Sequence, residues 1–130
     1  MNIEEYREYC LSIKGATECM PFDEFTLVYK VMDKMFSFAP LNPKEGRFWA
    51  DVKCDPNKSA ELIEHYEGIY FGPYTDKKYW ITIHLESDVP DALIKELINH
   101  SVDEVIKKLS KKKQNEYQEY LSPRFNDSKN

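Results

Sequence analysis

Glycine, cysteine and long apolar runs are scarce in this 130-residue chain, and each scarcity removes a class of protein. The four glycines are scattered, with neither the GxGxxG spacing that lets backbone approach a pyrophosphate nor a P-loop pattern. Cys10, Cys19 and Cys54 form an odd set without CxxC or Cys/His ligand spacing, which argues for reduced thiols over a disulfide framework or a zinc site. No stretch approaches the roughly 20 apolar residues of a membrane span. The start, Met1-Asn2-Ile3-Glu4-Glu5-Tyr6, lacks the basic and apolar segments of a signal peptide. The expectation is a soluble cytoplasmic protein without a membrane partner. A nucleophile beside a base, or carboxylates facing across a cleft, is equally missing, since His65, His84 and His100 fall on different predicted elements. No enzyme activity, cofactor or metal centre is expected.

What is present suits a folded domain. The length fits one core, and a 42% hydrophobic share with 14% aromatic residues is incompatible with an acid-rich disordered chain. The net charge is −5, which excludes a protein coated in cations for nucleic acid. The sign is uneven, however. Through His100 there are 11 Lys/Arg against 18 Asp/Glu, and from Ser101 onward 7 against 5, so a basic surface can only be local.

Ile3, Tyr6, Cys10 and Ile13 recur at helical steps between charged residues and predict an amphipathic helix from Ile3 to Ser12, ended by Lys14-Gly15-Ala16. Residues 25–31 and 35–39 are β-branched and aromatic around a short polar link, the pattern of a hairpin with its tip at Asp33-Lys34. Asn42-Pro43-Lys44-Glu45-Gly46 carries turn chemistry, and residues 47–52 read as a third strand. Asp55-Pro56 opens a second helix to about Tyr66, with Gly68 as a left-handed stop. Residues 69–71 form a short strand, Gly72-Pro73 turns, and residues 79–85 form the clearest strand of all. Asp88-Val89-Pro90-Asp91 opens a third helix, which breaks at Asn99-His100. Ser101-Val102-Asp103-Glu104 then fits a capping box for a fourth. The fold class is α+β: an antiparallel sheet with hairpins, packed against N-terminal and C-terminal helices. Residues 1–113 form one domain, and residues 114–130 a polar extension, frayed or partly helical through Tyr117, Tyr120 and Leu121.

Five short motifs occur in register: Lys14-Gly15-Ala16-Thr17-Glu18, Pro21-Phe22, Lys34-Met35-Phe36, Lys53-Cys54-Asp55-Pro56, and Tyr74 through Lys77-Lys78-Tyr79-Trp80. Together they resemble the MmcQ/YjbR family over residues 3–113. The resemblance implies a fold like that of frataxin and CyaY, and DNA binding through a double-wing arrangement of β-hairpins. Two positions depart from the family pattern: Asp76 stands where Asn is common, and Tyr79 where His is common before the Trp. An acid facing phosphate weakens DNA binding.

The segment Tyr74-Thr75-Asp76-Lys77-Lys78-Tyr79-Trp80 joins a turn, two adjacent cations and three aromatic rings, the residue types that neutralise phosphates and stack on bases. The plainer alternative makes Trp80 and one Tyr core anchors beside a solvated turn. Lys34 at a hairpin tip and Arg47 at the next strand are candidate wing contacts to backbone phosphate, or simply exposed charge. Lys107, Lys108, Lys111, Lys112 and Lys113 form the strongest basic run, which complementing a helix C-terminus would also explain. Cys54, next to a helix start, is a candidate for a lowered thiol pKa, with burial as the alternative. Glu4, Glu5 and Glu8 make an acidic ridge that hard cations favour, but without a His or second shell it reads as a solvated face. The leading expectation is weak, salt-sensitive DNA binding by a monomer or weak dimer. A protein-interaction module is the alternative.

Overall fold

Strands in the order β1-β2-β3-β4-β6-β5 make one antiparallel sheet in the computed structural model, which describes residues 1–121. The strands are β1 Thr17–Cys19, β2 Thr26–Val31, β3 Lys34–Pro40, β4 Trp49–Lys53, β5 Ile69–Tyr70 and β6 Trp80–His84. Helices α1 Ile3–Ser12, α2 Pro56–His65, α3 Asp91–Lys107 and α4 Lys111–Leu121 complete the described chain. The α+β class expected from the sequence is borne out. Among the described residues no helix is long and apolar enough to cross a membrane.

All four helices send their buried side chains into one core, against one face of the sheet. Tyr6 and Cys10 of α1, Leu62 of α2, Ile94, Leu97 and Ile98 of α3 and Tyr117 of α4 meet Leu27, Tyr29, Val31, Ala50, Val52, Ile81 and Ile83. The alternation of a strand decides which residues these are: Ala50 pairs with Ile83 and Val52 with Ile81, while Trp49, Asp51 and Lys53 between them turn outward. Each fully buried aliphatic side chain contributes about 1.5–3 kcal/mol.

Several boundaries differ from the sequence reading. The β2–β3 turn is centred on Met32 and Asp33, both at positive φ (48° and 65°), so Lys34 opens β3 instead of forming the tip. That backbone is the two-residue turn whose twist matches paired strands. The strand β1 was not anticipated; its three residues have no apolar alternation and rely on pairing with β2. The α1 N-terminus carries a capping box of Asn2 and Glu5, which also gives Glu5 a structural duty.

The expected break at Asn99-His100 does not occur, and α3 runs unbroken to Lys107. Ser101 therefore caps nothing. Its buried hydroxyl donates to the Phe36 carbonyl (2.5 Å) and accepts from the Lys53 amide (2.8 Å). It fills the place where β3 and β4 part: the register shifts between Tyr29 and Lys30, Phe36 is the extra residue, and the β3–β4 ladder is limited to Ser37↔Val52 and Phe38↔Asp51. The chain breaks instead after Lys107, and Ser110 accepts from the Lys113 amide at the start of α4. Gly68 is also not a left-handed stop, since φ is positive only at Gly15 and Gly46 among the glycines. It is required because a Cβ there would collide with the Ser87 side chain. Residues 122–130, part of the expected polar extension, lie outside the described residues.

Candidate nucleic-acid interface

The second face of the sheet carries no helix. Outward-facing Val28, Phe38 and Trp49 form a small cluster with Cys19 and Met35 against it, and the loop of residues 71–79 folds over one side. An aromatic row crosses this face: Trp80 lies 6.5 Å from Phe38 between ring centroids, Phe38 meets Trp49 edge-on at 5.9 Å, and Tyr74 stacks on Trp49 at 5.9 Å with an interplanar angle of 15°. Tyr74 keeps 68% of its surface exposed, so it covers Trp49 and remains open to solvent itself.

Two hydroxyls hold the loop down. Thr75 donates to Asp51 at 2.8 Å, and Thr82 donates to the other carboxylate oxygen at 2.6 Å. Burial pushes the Asp51 carboxyl up despite these donors, and among the described residues it makes no salt bridge. Gly72 lets the loop approach, since a Cβ there would strike the Thr82 hydroxyl. Beside the loop, Phe22, Phe25, Met35, Phe38, Trp49 and Tyr74 line a largely apolar groove of about 500 Å³.

Register sorts the candidate basic residues by sheet end. Lys53 pairs with Trp80, so the C-terminal end of β4 lies beside residues 76–80, whereas Tyr74 lies back along the strand over Trp49, and β3 starts at the Lys53 end because it runs antiparallel to β4. Lys34, Lys77, Lys78, Tyr79 and Trp80 therefore share one end. Arg47 does not join them. It precedes β4 and lies beyond Trp49, which pairs with His84 at the opposite end, a separation of at least about 13 Å along the strand.

Tyr79 ties two distant basic segments together: the Lys78 ammonium lies 5.4 Å from its ring centroid and that of Lys108 lies 5.2 Å away. Lys113 and the hairpin residues Met32 and Asp33 line a common cavity, which brings the start of α4 to this end as well. Lys107 is paired with Glu104 at 2.9 Å. The helix dipole accounts for Lys107 and Lys108 near the end of α3. It does not account for Lys111, Lys112 and Lys113, which occupy the first turn of α4, where cations are disfavoured. Asp76 turns its carboxylate onto its own turn, accepting from the Lys78 amide at 2.8 Å. Sequence reasoning missed Lys53, Phe38 and Trp49; the alternation of Trp49 and Lys53 about buried Ala50 and Val52 was the available signal.

Cys54 and His100 sit in structural surroundings. Burial pushes the Cys54 thiol up, opposite to an activated nucleophile. Burial lowers the His100 pKa, and its Nε2 accepts from the Asp55 amide at 3.1 Å. Among the described residues no group of three or more His, Cys, Asp or Glu side chains is placed to hold a metal ion.

This arrangement, helices on one face of an antiparallel sheet and loops on the other, defines a small two-layer α+β domain. The chain belongs to the YjbR family, whose model matches residues 11–103, and the resemblance drawn from its motifs is borne out. Escherichia coli O157:H7 YbdF, itself uncharacterized, is 29% identical over 111 residues, covering 85% of this chain and 89% of that protein. Escherichia coli K12 YjbR, also uncharacterized, is 26% identical over 113 residues, covering 87% and 94%. The crystal structure of Deinococcus radiodurans DR2400, with a DUF419 domain, is similar at a TM-score of 0.78 and 30% identity, covering 94% of this chain and 89% of that one. A Pseudomonas syringae protein shares the fold at a TM-score of 0.68 and 22% identity, covering 78% and 96%.

Proposed function

We propose that the lysine-rich end of the sheet binds DNA through its phosphate backbone, with Lys34, Lys53, Lys77, Lys78, Lys108 and the first turn of α4 supplying the charge. The observation that carries this reading is the gathering at Tyr79 of cations from residues 77–78 and from the end of α3, with the unexplained lysines of α4 at the same sheet end. Trp80 opens the aromatic row there, and the exposed ring of Tyr74 offers a stacking surface for an unpaired base. The overall acidity confines the phosphate contacts to this end, with the aromatic row leading away from it, and favours weak, sequence-independent affinity. Arg47, at the far end, is no part of this surface.

Fluorescence anisotropy with labelled duplex and single-stranded oligonucleotides at low salt tests the proposal. The expected dissociation constant falls in the roughly 10⁻⁴–10⁻⁶ M range of non-specific binding, weakening steeply with salt. Lys77→Ala with Lys78→Ala should reduce the magnitude of the log–log salt slope by roughly 2, because each phosphate contact releases about one counterion. Absence of binding, or an unchanged slope in the double variant, sinks the reading.

A protein-interaction role is the second reading, favoured by one observation: the apolar groove leaves Phe22 64% and Phe25 43% exposed. Pull-down from nuclease-treated extract separates the two. A partner retained by the native chain and lost with Phe22→Ser and Phe25→Ser counts for the groove.

A further inference from the structure

At the sheet end opposite the lysine cluster, Lys44, Glu45, Arg47, Tyr70 and His84 line a polar cavity of about 480 Å³. Its cations are placed by backbone geometry. Lys44 and Arg47 exchange both amide-to-carbonyl hydrogen bonds, each 2.9 Å, across a turn whose central residues Glu45 and Gly46 have φ of 53° and 78°. Residues bonded in this way face each other at about 5.5 Å between Cα atoms and share one side of the ladder, so two like charges are held close together. Among the described residues neither cation makes a salt bridge.

The opposite wall comes from outward positions of β5 and β6. Tyr70 pairs with Thr82 and His84 pairs with Trp49, which places both rings on the face without helices. The Tyr70 hydroxyl lies 3.2 Å from His84 Nε2, with the rings 5.3 Å apart. His84 Nδ1 is buried and has no hydrogen-bond partner among the described residues. An orphaned ring nitrogen costs least when it carries no proton to donate. That assigns the proton to Nε2, which donates to the Tyr70 oxygen and leaves the phenol O–H free to point into the cavity. Burial, with Arg47 next and Lys44 in addition, lowers the His84 pKa, while Glu45 opposes them. The imidazole is therefore neutral near pH 7.

We propose that this cavity binds a small oxyanion, with a phosphomonoester as the ligand class. The guanidinium of Arg47 supplies a forked donor pair, Lys44 a point charge, and Tyr70 a neutral donor, which together match a doubly charged group with three terminal oxygens. Glu45 offsets one of the two positive charges, so recognition rests on the forked and neutral donors as well as on charge. The cavity exceeds a bare phosphate, so room remains for the esterified part against the Tyr70 ring.

Inorganic phosphate titrated into the ¹⁵N-labelled full chain, with sodium chloride compensating ionic strength, tests this. Saturable shifts are expected at Gly46, Arg47, Tyr70 and His84. Lys44→Ala with Arg47→Ala should weaken binding about tenfold or more, and Tyr70→Phe several-fold with the remaining spectrum unchanged. Lys77→Ala with Lys78→Ala should leave the phosphate shifts intact, which separates this site from the DNA surface. Non-saturating shifts, an unchanged phosphate affinity in the Lys44/Arg47 variant, or shifts lost in the Lys77/Lys78 variant overturn the proposal. Acetate binding as tightly as phosphate overturns the assignment of ligand class.

Discussion

Alternate residues of β4 and β6 meet two different environments. Ala50, Val52, Ile81 and Ile83 point toward the helices and are fully buried in an apolar core. Trp49, Asp51, Lys53, Trp80, Thr82 and His84 point the other way, where the covering is supplied by residues 71–79 and by aromatic stacking. The helix-covered face buries hydrocarbon, and its stability comes from area removed from water. The open face buries a carboxylate under two hydroxyls and leaves a stacked tyrosine in solvent. Polar groups tolerated there are the ones a ligand can use, and the aromatic row and the proposed oxyanion cavity both fall on the face that the helices leave bare.

The sharpest test of this contrast compares truncations on the two faces. Leu97→Ala, in the fully buried helix layer, should cost about 2–5 kcal/mol in urea denaturation. Tyr74→Ala should cost under about 1 kcal/mol, yet weaken binding to single-stranded DNA by roughly 1–3 kcal/mol, the scale of one stacked base. Equal stability losses would erase the distinction between the faces.

A smaller effect is expected at the junction of helix and sheet. Ser101→Ala strands the Phe36 carbonyl and the Lys53 amide, at a cost of roughly 1–3 kcal/mol. Hydrogen exchange at the Lys53 amide should accelerate accordingly. Unchanged protection would mean that the gap between β3 and β4 closes without the hydroxyl.

The least effect in magnitude, and the most diagnostic in sign, is the pH dependence of two carboxylates. Glu18 accepts from Arg7 and Tyr29, and the Arg7 hydrogen bond is the chief cause of a pKa below its ordinary 4.5. Its stabilisation is present above that value and is lost as pH falls through the lowered one. Asp51 has a pKa raised by burial above its ordinary 3.8. Its contribution is full below 3.8 and is lost as pH rises through the raised value. Relative to the native chain, Glu18→Gln should therefore lose stability as pH rises through the acidic range, and Asp51→Asn should gain it. Denaturation midpoints across that range, with the two variants sloping the same way, would refute the electrostatic contrast.

Much of the fold was legible because periodicity and capping are local. The steps of Ile3, Tyr6, Cys10 and Ile13 located α1, and Asp55-Pro56 located the start of α2, where Asp55 accepts from the Asn57 and Lys58 amides. Two of the errors share one cause. Ser101 looks like a cap in sequence, but its hydroxyl is used by strands more than 45 residues away in the chain. Thr17–Cys19 forms a strand only because β2 lies beside it. At the candidate DNA surface, the sequence showed two basic segments and several aromatic rings, while their assembly around Tyr79 depended on where α3 ends.

The sequence alone determined the α+β class, the family, the amphipathic face of α1 and the absence of any glycine-rich phosphate loop, because these depend on neighbours within a few residues. Only the tertiary structure decided which lysines lie together. Antiparallel register carried Lys34 and Lys78 to one end and Arg47 to the other, and the pleat sent Trp49 and Lys53 to the face that no helix covers. Charge acts through space over several ångströms, and pairing among strands distant in sequence fixes that spacing.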